Sequence, residues 1–223
     1  MAIRNRITVI IPTLNESKGI RKVLDRMPGE VFEVIIVDGG STDGTIELVR
    51  PYNVKIVVER RRGYGRAYMT GVDCAEGDII ACLDGDGSYN PSLILDMVNF
   101  LESRGIDFVS GDRMNGLEMG SMPLIRNLGN RLISAFSNAL FSTEIHDNQS
   151  GMWVFRRDLL ERLELKEEGM PFSSEIKIEA YKKGRFAEFP IKLYEREGNR
   201  SSDVISQGYS IFKFLIKRRL SER

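Results

Sequence analysis

The chain has 223 residues, of which 42% are hydrophobic, and this is enough for one large domain with a substantial core. Its 32 basic and 32 acidic residues give zero net charge, whereas proteins that bind nucleic acid usually carry a clear basic excess. The two cysteines are too few for a disulfide framework or a cysteine-rich zinc site. We therefore expect a globular protein that does not bind nucleic acid.

We expect this protein to be cytoplasmic, with any membrane contact made peripherally at the cytoplasmic face. The apolar run at residues 7–11 is too short for the core of a signal peptide and is broken at once by Pro12. No stretch approaches the roughly 18 apolar residues that a membrane-spanning helix needs.

In the first half of the chain, short apolar runs alternate with amphipathic stretches. Five runs rich in β-branched residues are predicted to be strands: 7–11, 34–37, 54–58, 79–83 and 108–109. The stretches between them are predicted to be helices: 16–27, 43–49, 64–75 and 91–101. Because these strands are apolar throughout, they indicate an α/β fold with a mostly parallel central sheet covered by helices on both faces.

The second half is less regular. Its predicted elements are a helix at 123–141, a strand at 151–155, a helix at 174–183 and a strand at 186–194. Residues 204–223 are predicted to form an amphipathic, basic C-terminal helix. Two interpretations of this helix stay open, because its pattern fits a helix that packs against the domain and equally an interfacial helix that rests on anionic lipid.

Polar motifs follow three of the predicted strands, at residues 12–16, 38–45 and 84–88. Ligands of open α/β sheets bind beyond the carboxyl ends of the strands, so we expect these motifs to lie together. In the third motif, Asp84 and Asp86 flank Gly85, and carboxylates so close together repel each other. A divalent cation bridging them to a diphosphate would relieve this repulsion, and their hard oxygens suit Mg²⁺ or Mn²⁺. The alternative is a turn rich in glycine and aspartate that binds nothing.

A series of motifs in fixed order gives the chain a family resemblance. The motifs are TVIIPTLNE at 8–16, VDGGSTDGT at 37–45, RGYGRA at 62–67, DGD at 84–86, GDR at 111–113, RNLGNR at 126–131, DNQSG at 147–151 and EFPI at 188–191. In this order they resemble the inverting glycosyltransferases of family 2, which have the GT-A fold. Within that family the chain looks most like the dolichyl-phosphate mannose and glucose synthases.

The resemblance implies a donor site for a nucleotide sugar and a metal ion. Its nucleotide-sugar residues would be Pro12, Leu14, Asn15, Glu16, Asp38, Gly65, Arg66, Asp84, Gly85 and Arg196. The metal, Mg²⁺ or Mn²⁺, would be bound by Asp84 and Asp86 and would act as a Lewis acid on the diphosphate.

The resemblance also implies an acceptor site for a phosphate group. Arg113, Arg126 and Arg131 would hold the phosphate, and arginine is well suited to bind it through paired hydrogen bonds. We expect Asp86, Asp147 and Arg126 to be the catalytic residues. Because a lipid monophosphate is already nucleophilic at neutral pH, Asp147 is expected to orient sugar hydroxyls or support the site rather than abstract a proton.

The expected function is transfer of a hexose, with inversion, from GDP-mannose or UDP-glucose to a polyprenyl or dolichyl phosphate. Residues 1–203 would form one catalytic domain, in which 1–110 bind the nucleotide sugar and 111–203 bind the acceptor. Two alternatives stay open: a transferase with a soluble acceptor such as phosphoglycerate or a saccharide, and a nucleotide-binding protein without catalysis.

Three positions depart from the family pattern. Gly39 stands where the family often has a second acid, and Ser88 stands where related synthases often place an amide ligand, which leaves the third protein ligand of the metal open. Residues 196–202 keep arginine, glycine and serine at altered spacing, so either Arg196 or Arg200 is expected to cover the diphosphate.

Overall fold

A computed structural model describes residues 5–114, 124–197 and 204–222. The described strands are β1 (Ile7–Thr13), β2 (Glu33–Asp38), β3 (Lys55–Val58), β4 (Ile79–Cys82), β5 (Phe108–Asp112), β6 (Trp153–Arg156) and β7 (Phe186–Pro190). They form one sheet in the order β3-β2-β1-β4-β6-β5-β7. β6 runs antiparallel to both of its neighbours, and the other pairs are parallel.

The described helices are α1 (Ile20–Leu24), α2 (Thr45–Val49), α3 (Tyr64–Asp73), α4 (Leu93–Ser103), α5 (Leu124–Phe141), α6 (Phe172–Lys183) and α7 (Val204–Ser221). A short 3₁₀ helix at Arg157–Arg162, which the sequence pattern did not predict, follows β6. The predicted α/β fold with a mostly parallel sheet is therefore confirmed. The predicted boundary between the catalytic domain and the C-terminal helix, at residues 203 and 204, adjoins residues 198–203, which are outside the described residues.

Successive apolar side chains of each strand lie on opposite faces of the sheet, so that an apolar core layer forms on each face. One layer joins Val9, Ile36 and Ala81 to residues of α1 and α4 such as Val23 and Met97. The other layer consists of strand and helix residues of the opposite face, including these: Ile10, Ile35, Ile80, Phe108, Tyr68, Val72, Phe172 and Ile176. The helices α3 and α6 cover this second face. Because both faces are buried, the strands are apolar at successive positions instead of alternating between apolar and polar residues.

The helix predicted at 16–27 is wrong in its extent, because only Ile20–Leu24 is helical. The backbone N–H groups of Asn15, Glu16 and Ser17 donate to side chains in the loop after β2, so this segment is held as a loop. Asn15 adopts a left-handed φ of 59°, which no helix residue has.

The strand predicted at 186–194 is also too long, since β7 ends at Pro190. The chain beyond it runs along the carboxyl edge of the sheet, where the N–H of Tyr194 donates to the carbonyl of Ser88 at 2.9 Å. The N–H of Glu197 donates to the carbonyl of Asp86 at 3.0 Å. This path carries residues 191–197 across the third polar motif.

α5 and α7 pack against each other at one side of the domain. Ile133 and Phe141 of α5 share a cluster with Ile211, Phe214 and Leu215 of α7, and all five are buried. The packing interpretation of the C-terminal helix is therefore confirmed for this face of α7.

Phe108 offers a test of the core. Its ring is fully buried and stacks on Phe155 and Phe186, with centroid distances of 5.6 Å in both cases. We expect Phe108→Ala to lower the free energy of unfolding by roughly 3–5 kcal/mol in chemical denaturation, because it leaves a cavity at the centre of the stack. Val58→Ala, at an exposed position of edge strand β3, should change it by no more than about 0.5 kcal/mol. A loss below about 1 kcal/mol for Phe108→Ala would contradict this packing.

Candidate active site

The loops after β1 and β2 are joined into one rim at the carboxyl edge of the sheet. The backbone N–H of Thr42 donates to Asn15 Oδ1, and the N–H of Asn15 donates to Ser41 Oγ, each at 2.9 Å. The N–H of Glu16 donates to the Thr45 hydroxyl, also at 2.9 Å. The first two polar motifs therefore form a continuous surface, as their positions after neighbouring strands predict.

Asp38, at the end of β2, is buried and organises this rim. Its Oδ2 accepts the N–H groups of Gly40 and Ser41 at 2.8 Å each. Its Oδ1 accepts the hydroxyl groups of Ser41 at 2.5 Å and Thr13 at 3.1 Å. These contacts fix the turn on which a nucleoside would rest. Direct contact between Asp38 and a nucleoside stays a prediction.

Beside the rim, Arg196 contacts two carboxylates, and a third carboxylate, Asp84, interacts with them electrostatically. Arg196 Nη2 lies 2.7 Å from Glu16 Oε1, and Arg196 Nη1 lies 3.4 Å from Asp86 Oδ2. Burial raises the pKa of Glu16 to about 7 although Arg196 lowers it, and the charges of Asp86 and Asp84 add to the rise. Burial, followed by the charge of Asp86, raises the pKa of Asp84 to about 6. A cation bound at the cluster Glu16–Asp84–Asp86 would relieve the mutual repulsion that contributes to these raised pKa values.

The Asp84 carboxylate is held in one orientation by its neighbours. The Tyr64 hydroxyl donates to Asp84 Oδ1 at 2.9 Å, and the Tyr68 hydroxyl lies 3.4 Å from the same oxygen. Gly151 approaches Oδ2 so closely that any side chain at this position would collide with it. Sequence reasoning missed both tyrosines, and the only signal was their four-residue spacing on one face of a predicted helix.

Ser88 contacts Asp86 rather than the open side of the cluster. Its N–H and its hydroxyl donate to Asp86 Oδ1 at 2.9 Å and 2.6 Å. The other oxygen of Asp86 faces Arg196. Ser88 therefore orients the aspartate in this arrangement. Gly85, between the two aspartates, packs closely on β1, since a Cβ there would lie 3.1 Å from Thr13 Cγ2.

The other predicted donor residues surround this cluster. Pro12 is half-buried in β1, and Leu14 is 54% exposed on the rim. Gly65 lies in α3 and packs so tightly against α6 that a Cβ would collide with it. Arg66 forms an ion pair with Glu168. Arg200 lies outside the described residues.

On the acceptor side, Arg113 and Asp147 form a buried, two-pronged ion pair. Arg113 Nε and Nη2 donate to the two oxygens of Asp147 at 2.6 Å and 2.8 Å. Burial alone would raise the pKa of Asp147, but the charge and hydrogen bonds of Arg113, together with the charge of Lys177, outweigh it, and the pKa lies below its ordinary value. Arg113 Nη1 also donates to the Tyr89 hydroxyl at 3.3 Å. Binding of an acceptor phosphate by Arg113 stays a prediction.

Lys177, which sequence reasoning missed, supports the loop that carries Asp147. Its buried ammonium group donates to the backbone carbonyls of Asp147 and Asn148 at 3.0 Å each and of Ser150 at 2.8 Å. Burial lowers the pKa of Lys177 to about 7. A lysine in the middle of a helix normally suggests a solvated position, so its sequence context gave no signal.

Arg126 and Arg131 both lie on α5 and are exposed. Desolvation and the charge of Arg113 lower the pKa of Arg126, while the charges of Asp84 and Asp86 act in the opposite direction. The charge of Arg113 and the charges of Asp84 and Asp86 therefore all influence the pKa of Arg126. Arg131 Nε donates to Asn127 Oδ1 of the same helix at 2.9 Å. Its role in phosphate binding stays a prediction.

The residues present fit a cation together with an anionic ligand. The cluster Glu16–Asp84–Asp86 offers only hard oxygen ligands, which suit Mg²⁺ or Mn²⁺. Two buried arginine atoms, Arg66 Nε and Arg196 Nε, have no hydrogen-bond partner among the described residues. Because a buried donor without a partner is destabilising, a phosphate oxygen reaching either nitrogen would be favourable.

Comparison with known proteins gives three consistent matches. Residues 8–164 match the model of the family described as glycosyl transferase family 2. The dolichyl-phosphate hexose transferase of Haloferax volcanii is 32% identical, over 97% of this chain and 95% of that protein. The low-salt glycan biosynthesis hexosyltransferase Agl6 of the same organism is 31% identical over 94% of this chain, which spans only 53% of that protein.

A solved structure shows the same fold. Glucosyl-3-phosphoglycerate synthase from Mycobacterium tuberculosis, in complex with Mn²⁺, UDP-glucose and phosphoglyceric acid, superposes with a TM-score of 0.78 at 23% identity. The alignment covers 97% of this chain and 80% of that chain.

The sheet order and the structural match show the GT-A fold, and the family model and the curated relative show an enzyme of the glycosyltransferase class. The chain belongs to glycosyl transferase family 2. The resemblance inferred from the order of the motifs is confirmed, and its relatives include a dolichyl-phosphate hexose transferase.

Lys177 gives a pH-dependent prediction. Its pKa is about 7 in the folded chain against an ordinary value of 10.5, so between these values the unfolded chain binds more protons. Stability from this group must therefore rise with pH across that window. We expect the free energy of unfolding of the wild type, measured relative to Lys177→Met, to increase from pH 7 to about pH 10. Lys213→Met, at an exposed position of α7, is the control and should show no such trend. Parallel pH profiles for wild type and Lys177→Met would show that burial does not lower this pKa.

Proposed function

We propose that this chain transfers a hexose, with inversion, from GDP-mannose or UDP-glucose to the phosphate of a polyprenyl or dolichyl lipid. The observation that carries sugar transfer is the cluster Glu16–Asp84–Asp86 facing Arg196 at the carboxyl edge of the sheet. The mutual repulsion of its carboxylates supports binding of a divalent cation together with a diphosphate. Nucleotide-binding without catalysis would not require this concentration of carboxylates.

On the donor side, the rim formed by the loops after β1 and β2 would hold the nucleoside. Asp84 and Asp86 would hold Mg²⁺ or Mn²⁺, which supplies Lewis-acid stabilisation of the diphosphate leaving group. Arg196 lies over the carboxylates, and its unpartnered Nε supports a second role as a ligand of the diphosphate. A structural relative in complex with Mn²⁺ and UDP-glucose supports binding of a divalent cation and a nucleotide sugar by this fold.

On the acceptor side, the proposed nucleophile is a phosphate oxygen, which is ionised at neutral pH and needs no general base. Asp147 supports this assignment, because both of its oxygens accept hydrogen bonds from Arg113 and its lowered pKa makes it a weak base. Arg126 would bind the acceptor phosphate, since it lies within the electrostatic influence of Asp84 and Asp86. Asp147 would act by holding Arg113 in place.

The lipid acceptor is supported by the outer surface of α5. Ile125, Leu128 and Leu132 are 82%, 59% and 56% exposed, and their spacing places them on one face of the helix that also carries Arg126 and Arg131. On α7, Tyr209 and Ile216 are also exposed, next to the exposed basic residues Lys213 and Lys217. Apolar side chains beside basic ones fit the surface of an anionic membrane.

The C-terminal helix contributes less positive charge to this surface than its sequence predicts. Arg218 turns towards the domain, where it pairs with Glu179 at 2.5 Å and lies 3.8 Å from Glu175. Among the described residues, no helix combines the length and the apolar character that crossing a bilayer requires. The proposed membrane contact is a peripheral one, made through the exposed apolar side chains of α5 and α7.

A soluble acceptor is the second candidate. The relative that supports it is the synthase whose structure contains phosphoglyceric acid, which carries a phosphate but no lipid. Both candidates place a phosphate among Arg113, Arg126 and Arg131. They differ in whether the exposed apolar face of α5 has a role.

Asp86 tests the reaction. We expect Asp86→Ala to reduce metal-dependent transfer of labelled hexose to a short-chain polyprenyl phosphate by roughly 10²-fold or more, because the diphosphate loses its electrostatic support. Asp96→Ala, which removes an exposed carboxylate from α4, is the matched control and should retain wild-type activity. An unchanged rate for Asp86→Ala would contradict the proposed mechanism.

The acceptor is tested with liposomes. We expect the wild type to sediment with vesicles that contain anionic lipid, and the double variant Ile125→Glu/Leu132→Glu to stay in the supernatant, because carboxylates at these positions would have to leave water. Asn99→Glu, on the exposed side of α4, controls for added negative charge. If the wild type does not sediment with vesicles and does glycosylate phosphoglycerate, the proposal of a lipid acceptor is wrong and the soluble acceptor is favoured.

A further inference from the structure

A second group of metal-ligating side chains lies away from the cluster Glu16–Asp84–Asp86, at the carboxyl ends of β5 and β7. Asp112 ends β5, Glu188 lies on the adjacent strand β7, and His146 lies in the loop that precedes β6. One ligand atom from each of the three side chains lies within 4.8 Å of the others. Because Asp112 pairs with Pro190, two residues beyond Glu188, the two acids project from the same face of the sheet.

The distances within this group match those between ligands of one metal ion. His146 Nδ1 lies 3.5 Å from Asp112 Oδ2 and 3.5 Å from Glu188 Oε2. Around a tetrahedral Zn²⁺ with bonds of about 2.0–2.2 Å, neighbouring ligand atoms are separated by about 3.3–3.6 Å. The three side chains could therefore bind one ion with little rearrangement.

Backbone hydrogen bonds hold the two carboxylates in place. The N–H of Met114 donates to Asp112 Oδ1 at 2.8 Å, and the N–H groups of His146 and Asp147 donate to the two oxygens of Glu188 at 2.8 Å and 2.9 Å. Such secondary contacts orient metal ligands and are typical of metal sites in proteins. The acids are largely buried, whereas the His146 side chain is 63% exposed, so an ion could enter from solvent.

The charges in this group also favour a cation. Two buried carboxylates close to each other repel, and the imidazole of His146 is the ligand type that a borderline metal adds to oxygen donors. The oxygen-only cluster Glu16–Asp84–Asp86 suits a harder ion.

We propose that Asp112, His146 and Glu188 bind a single Zn²⁺ ion, separate from the metal of the donor site. Three protein ligands leave a fourth position for water. The ion would join β5, β7 and the loop before β6. Through the hydrogen bond from the Asp147 N–H to Glu188, it would also restrain the residue that anchors Arg113. Binding of Zn²⁺ here does not depend on the proposed sugar transfer.

The experiment uses the fact that His146 is the only histidine of the chain. In the full chain labelled with ¹⁵N-histidine, we expect one equivalent of Zn²⁺ to shift the Nδ1 resonance of the imidazole. Asp112→Asn keeps the oxygen that accepts the Met114 N–H but removes the charge, and it should weaken Zn²⁺ binding at least tenfold in a competition titration. Asp84→Asn, in the donor site, is the matched control and should leave the imidazole response intact.

Two results would overturn the site. An imidazole resonance that is unchanged by equimolar Zn²⁺ would show that His146 does not bind the ion. Equal Zn²⁺ affinity in the wild type and in Asp112→Asn would show that the ion binds elsewhere. Near-ultraviolet circular dichroism of Asp112→Asn, compared with the wild type, would establish that the variant is folded in either case.

Discussion

The reversed direction of β6 is the constraint on which the site depends. β6 lies between β4 and β5 and runs antiparallel to both, so the chain that enters it comes from the carboxyl edge of the sheet. This brings residues 147–151 against the loop after β4, where Gly151 contacts the Asp84 carboxylate. A parallel strand in the same place would deliver that segment to the opposite edge. The proposed donor and acceptor parts of the site are therefore adjacent because of one reversal in the sheet.

Charge balance explains the arrangement around that meeting point. Asp147 is buried with Arg113, and the ion pair between them compensates for the hydration that each side chain loses on burial. Glu16 and Asp86 lie against Arg196, and the charges of Arg113 and Arg196 both act on Asp84, yet burial still raises the pKa of Glu16 and of Asp84. One half of the site is thus complete without a ligand, whereas the other half is electrostatically suited to receive one. This contrast agrees with a donor site that binds a metal and an acceptor site built from fixed side chains.

Much of this arrangement is readable from sequence, because local patterns mark it. Asp84 and Asp86 directly follow an apolar run, so their place at the carboxyl edge follows from the period of the strand. The pairing of Arg113 with Asp147 joins residues 34 positions apart, and no local pattern specifies it. The role of Lys177 is unpredictable for the same reason, since its three carbonyl partners lie in the loop before β6, far from it in sequence. The helix predicted at 16–27 was too long, because apolar periodicity depends on side chains alone. It gives no sign that the backbone N–H groups at the start of this segment donate to side chains that follow β2.

Tyr89 links the two halves of the site. Its hydroxyl accepts the N–H of Gly151 at 2.7 Å and also contacts Arg113, while Gly151 packs on Asp84. A phosphate that drew Arg113 away from Tyr89 would alter the packing against Asp84. The two substrates would then bind with a coupling free energy, and thermodynamic linkage requires the nucleotide to change affinity for the acceptor by the same factor. Occupancy of the two subsites would not be independent, and saturation curves for one substrate would depend on the concentration of the other.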